Sequence, residues 1–151
     1  MPEGGAVDAD TIPVSADPLG PHPVNAPVPS VLCDTLALGG ASHASAGVLW
    51  KMTESGRQLD ANLVHLPPDR RVGVHAEPAL DVLLLVVAGG GILEGIDGPR
   101  TLTPGLLLWL PHGCSRSLAA GEDGLSYLTV HQRRPGMQIR RWDPAPADPL
   151  P

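Results

Sequence analysis

The chain has 151 residues, 42% of them hydrophobic, with a formal net charge of -6. That length is one domain plus a tail, enough to bury a core without metal or disulfide staples. The charge is unevenly placed: residues 1–30 hold Glu3, Asp8, Asp10 and Asp17 and no Lys or Arg, while in 31–142 acids and bases are equal in number. No basic footprint for nucleic acid or an anionic membrane results. The two cysteines, Cys33 and Cys114, make no disulfide framework and read as free thiols of a reducing, cytoplasmic setting. The N-terminus lacks the basic and apolar regions of a signal peptide. The longest apolar run, Val82 to Ala88, is too short to span a bilayer.

In chain order, residues 1–30 come first, with seven prolines and scattered acids. Such a segment cannot bury enough apolar surface to offset its ordering entropy, which predicts a disordered tail. The domain is expected over 31–142, and 143–151 reads as a second, shorter tail. Short apolar segments follow at Val48–Met52 and Leu59–Leu66, the latter ended by Pro67-Pro68. Val72–Glu77 is a strand that stops at Pro78. Asp81–Ala88 is apolar on both faces, as a doubly covered strand is. Gly89-Gly90-Gly91 reads as a turn. Ile92–Ile96 and Arg100–Leu102 flank Asp97-Gly98, a hairpin pair. Leu106–Leu110 ends at Pro111. Ser115–Ala119 precedes a turn at Gly121–Gly124, then Leu125–Gln132 is the last clear strand, with Gln138–Trp142 a further candidate. Eight or more short strands with frequent turns predict an all-β sandwich or barrel, and no segment sustains a helical period.

Two stretches sharpen this. Gly105 is followed by LLLWL, then Pro111-His112-Gly113, then Cys114-Ser115 and Arg116. This resembles the second motif of the cupin family: Gly, five residues, Pro-x-Gly, two residues, His, three residues, Asn. Arg116 stands at the His and Ala120 at the Asn. The family's first motif, Gly, five residues, His-x-His, then a Glu and a further Gly, resembles the stretch from Asp69 through His75-Ala76-Glu77 to Gly89. Val82 takes the Glu place when counted back from Gly89; Asp81 takes it on the shorter spacing. The resemblance covers about residues 45–132. It implies a cupin-type double-stranded β-helix, a jelly-roll barrel behind a Pro-rich tail.

Members of that family generally hold one divalent metal through two His, a Glu and a third His. Only His75 is kept here. Glu77 and Asp81 are the remaining carboxylates, while Arg116 cannot ligate and puts a fixed cation where the metal belongs. The resemblance therefore implies a degenerate metal site, with no cofactor expected; His75, Glu77 and Asp81 are the ligands should a metal bind. An Arg116–Glu77 ion pair would fill the metal's place. His75, Glu77 and Arg116 are the candidate catalytic residues, as acid or base, orienting group and oxyanion stabiliser. His65, Trp109, Tyr127 and His131 are candidate ligand-binding residues. The leading expectation is small-molecule binding in the barrel without metal. The alternatives are a metal-independent isomerase or cyclase and a metal-dependent oxygenase with altered ligands. By analogy with the family, a homodimer is expected, with Leu32–Leu38 crossing to the neighbour.

Overall fold

Val82, Leu84 and Val86 alternate with Leu83 and Leu85, so one face of this strand is core and the other is not. The structure, a computed structural model, describes residues 26–41 and 45–134. The chain divides into two units at Ser30/Val31, and the second carries every element that follows. The predicted tails, apart from 26–30, and the Gln138–Trp142 strand lie outside the described residues.

Among the described residues a short helix, α1 (Thr35–Gly40), precedes seven strands: β1 (Gly47–Lys51), β2 (Leu59–Leu66), β3 (Arg71–Ala76), β4 (Val82–Gly95), β5 (Gly98–Leu102), β6 (Leu107–Leu110) and β7 (Ser115–Gln132). Every pairing is antiparallel. β4 and β7 are the long strands, and each serves two layers. The first half of β4 pairs with β6 and with the second half of β7, which also takes β2. The second half of β4 pairs with β5 and with the first half of β7, which also takes β3. The two layers face each other across a core of Leu84, Val86, Leu93, Leu102, Leu118, Leu125 and Tyr127. Burying each such aliphatic side chain contributes about 1.5–3 kcal/mol before ordering entropy is counted.

Here the structure corrects two expected turns. Gly89–Gly91 lies inside β4, and Gly121–Gly124 lies inside β7. The glycines do not reverse the chain; they let two strands bend together from one layer into the other. A Cβ at Gly89 would stand 2.1 Å from the Gly124 carbonyl oxygen, and one at Gly91 would stand 2.1 Å from that of Ala119. Gly89 also holds a φ of 71°, a region that side chains disfavour. The register slips at both places, between Val86 and Ala88 and between Gly89 and Gly91, as bulges that bend a strand do.

The segment expected to cross to a neighbour is also different. Residues from Thr35 form α1, capped by Asp34, whose carboxylate accepts from the Ala37 N–H at 3.0 Å; this is an ordinary N-cap. α1 docks on its own barrel: Gly39 lies against Val87 and Ser126, so closely that a Cβ there would meet the Val87 side chain at 2.7 Å. The helix covers an outward sheet face that carries Leu63, His65, Val87 and Ser126, all buried.

Candidate functional site

The two motif stretches meet through the backbone. The Gly113 N–H, in the Pro-x-Gly turn, donates to the Glu77 carbonyl at 2.7 Å, and His75 lies opposite Arg116 in the β3–β7 ladder. Asp69, at the first motif's glycine place, has a φ of 64°. That left-handed conformation suits Gly and is tolerated by Asp, whose short polar side chain can bond locally.

The side chains diverge from there. His75 is exposed, and its Nδ1 donates to the Gly73 carbonyl at 2.8 Å. Glu77 accepts from the Ala79 N–H at 3.2 Å and forms an ion pair with Arg134. The expected Glu77–Arg116 pair is thus not formed, because Glu77 turns to the chain beyond β7. Arg116 instead goes inward: it is only 7% exposed and its Nη1 donates to the Cys114 carbonyl at 3.3 Å. The Cys114 sulfur stands 4.0 Å from the same nitrogen. No acidic side chain pairs with Arg116 among the described residues.

At the family's Glu place, Val82 is buried in the core, and Asp81, one residue earlier, is exposed. Asp81 accepts from the His112 backbone N–H at 2.8 Å and binds His112 Nδ1 at 2.7 Å. These hydrogen bonds, the backbone one first, hold its carboxyl below the usual aspartate range, with the Trp109 indole adding a weaker one. Asp81 is a clip between the start of β4 and the Pro-x-Gly turn.

These donors do not fit a divalent metal. A structural or catalytic site needs three or four converging N, O or S donors. Among the described residues no three His, Cys, Asp or Glu side chains are placed to share an ion. His75, Glu77 and Asp81 each bond elsewhere, and the group aimed into the barrel is a permanent cation.

The four expected ligand-binding residues separate. Tyr127 is in the core, and burial raises its phenol above the ordinary value while the Arg116 charge opposes that shift. Its hydroxyl has no hydrogen-bond partner among the described residues. His131 is half-buried, and its Nδ1 donates to the Gln132 carbonyl at 2.8 Å. His65 is buried, but on the outward face beneath α1. Its Nδ1 meets the Ser126 hydroxyl at 2.9 Å, and that hydroxyl donates to the Gly39 carbonyl at 3.1 Å. The one hydroxyl proton is therefore spent on Gly39, so His65 Nδ1 is the donor to Ser126. Trp109 is 64% exposed on the outer side of β6. Period-two alternation in β2 and β6 fixes which residues share a face, and not which face is inside.

What sequence reasoning missed is a cleft of about 460 Å³ at the end of the barrel away from the glycine bends. It runs between the β4–β5 hairpin and β6, lined by Leu93, Leu108, Leu110 and Cys114 with Arg116. At its rim, Asp97 and Arg100 form an ion pair, which neutralises both. The sequence signal was present in the alternation of Leu108 and Leu110 with Leu107 and Trp109.

No protein-family model matches the chain, and no curated protein matches it. Solved structures do. A protein from Thermus thermophilus is similar at 18% identity, over 68% of this chain and 97% of that one, with a TM-score of 0.57. A cupin superfamily protein from Desulfitobacterium hafniense is 18% identical over 64% of this chain and 85% of its own, with a TM-score of 0.54. A sugar phosphate isomerase of the cupin superfamily from Silicibacter pomeroyi is 23% identical with a TM-score of 0.48; the match spans 52% of this chain and 53% of that one, about half its length. Among the described residues no helix is long and apolar enough to cross a membrane. The first two likenesses, each with a TM-score above 0.5, speak to the fold, and they agree with the strand order and the paired bends: the chain has the cupin fold, a double-stranded β-helix.

Proposed function

We propose that this chain binds a small molecule in its barrel without a metal. The observation that carries the reading is Arg116, a buried guanidinium beside the apolar inner wall of the cleft, lacking an acidic partner among the described residues. Buried charges are ordinarily paired, because an uncompensated one is costly. A cleft of this size, with an apolar inner wall and one charge unpaired by an acid, has the make-up of a small-molecule site. The alternative, catalysis by His75, Glu77 and Arg116 together, gains less support. His75 and Glu77 do not line the cleft, and each is held by another partner.

The test combines two measurements on the full chain purified without an affinity tag. Plasma mass spectrometry is expected to find far less than one iron, zinc, nickel or manganese per chain. An NMR screen of small organic probes is expected to shift the amides of Leu93, Leu108, Leu110 and Cys114. Stoichiometric metal, or a screen that leaves those amides in place, overturns the reading.

We also propose that two copies pair through the outer side of β4 and β6. Leu83 lies opposite Trp109 and Leu85 opposite Leu107, and β7 continues the stripe with Val130 and Leu128. Leu83, Leu107 and Trp109 are exposed. An apolar stripe of this kind is self-complementary about a two-fold axis. Sedimentation velocity at tens of micromolar, on the order of ordinary dimer affinities, is expected to give a dimer that Trp109→Glu splits; a monomeric parent chain overturns the proposal.

A further inference from the structure

We infer that the ligand of the cleft is an apolar monocarboxylate, held by its carboxylate at Arg116 and by its body against Leu93, Leu108 and Leu110. The inference rests on the reading of the barrel as a small-molecule site. It adds the chemical class of the ligand.

The charge count of the cleft selects the head group. Of the charged side chains lining it, Asp97 and Arg100 neutralise each other at the rim, which leaves Arg116 as one net cation inside. One cation in an apolar setting matches one negative charge. A dianionic phosphate would bring a second charge into the same space with nothing to offset it. Geometry selects among monoanions. A guanidinium presents five N–H donors in a planar fork, and the Cys114 carbonyl takes one of them at 3.3 Å. The fork suits the two parallel oxygens of a carboxylate.

The lining selects the body. The buried and half-buried part of the lining, Leu93, Leu108, Leu110 and Pro111, offers no hydrogen-bonding side chain beyond the weakly polar Cys114 thiol, while Asp97, Arg100 and Ser115 stand on its exposed outer part. A sugar or polyol set against this inner wall would lose its water without new partners, a penalty that each unmatched hydroxyl repeats. An aliphatic or aromatic body loses nothing polar.

The experiment titrates three probes of one body into the full chain: 3-phenylpropionate, 3-phenylpropan-1-ol and 2-phenylethyl phosphate, followed by the cleft amides. The acid is expected to bind at least about tenfold more tightly than the alcohol, the effect of one charge-assisted bidentate pair. Arg116→Met is expected to bring acid and alcohol level, and Arg116→Lys, with a charge but no fork, to fall between. The amide spectra of both variants report whether they fold, and the comparison of probes on the parent chain needs neither. Equal binding of acid and alcohol in the cleft overturns the carboxylate assignment and leaves the barrel as a binding site. Tighter binding of the phosphate overturns the assignment in the same way. If no probe binds while the broader screen finds a neutral ligand, the inference alone falls; if nothing binds at all, the proposed function falls with it.

Discussion

Among the described residues, two buried side chains carry or can carry positive charge, and the molecule treats them in opposite ways. His65, on the outward face, hands its proton to Ser126, and Ser126 hands its own to the end of α1. Arg116, on the inward face, meets one backbone carbonyl and the weakly polar Cys114 sulfur. Both are more than nine-tenths buried. A relay that ends on the protein's own backbone is architecture, since its free energy is realised on folding. A charge that ends on the cleft is kept at a cost, and in the proposed reading that cost is offset when a ligand binds.

The harshest test concerns the frame in which both residues sit. Gly91→Ala places a methyl 2.1 Å from a backbone oxygen of the partner strand, and neither strand can yield without breaking the double bend. Chemical denaturation is expected to show a loss of more than about 4 kcal/mol, or no folded protein. A mild effect would mean that the layers are not locked at this corner.

The next two tests set the two polar groups against each other. Ser126→Ala leaves the His65 donor and the Gly39 carbonyl without their shared partner, and is expected to cost about 1–3 kcal/mol. Arg116→Met removes a buried charge and leaves a side chain of similar reach, and is expected to change stability between neutral and about 2 kcal/mol in favour of the fold. The signs decide the matter in urea titrations of the two variants: a large loss for Arg116→Met would make Arg116 a structural residue like His65.

Two smaller effects refine the comparison. Asp34→Ala removes the cap of α1 and is expected to cost about 1 kcal/mol, with hydrogen exchange quickening around Ser126 and not around Arg116. The Asp81–His112 clip carries a pH signature. Its folded carboxyl is lowered from 3.8, so its contribution is present above the ordinary aspartate value and is lost as pH falls through the lower folded one. Asp81→Asn should flatten that part of the acid limb in pH-dependent melting.

Much of the fold was legible in the sequence. The Gly105–Gly113 spacing and the alternation of Val82, Leu84 and Val86 gave the barrel and the strand that threads it, and Val82 rather than Asp81 is the residue in the core. The glycine runs were misleading because each is locally a turn signal. Only their stacking on one another, a contact over thirty residues of sequence, makes them bends. The helix after Asp34 is too short to display a period, although its capping residue stood in view. His75, Glu77 and Arg116 occupy motif positions that imply convergence, but a position on a strand does not fix where a long side chain ends. Glu77 found Arg134, from beyond the last strand, and that partner follows from no motif.

Because β4 and β7 each run through both layers, neither layer is a separable piece of chain. Pairing Leu85 with Leu128 and Leu93 with Leu118 joins segments distant in sequence, and the same two strands carry both sets of pairs. The barrel should therefore form late and all at once, slowly for its size as non-local β topologies do, and denaturation monitored from Trp50 and from Trp109 should trace one transition rather than two.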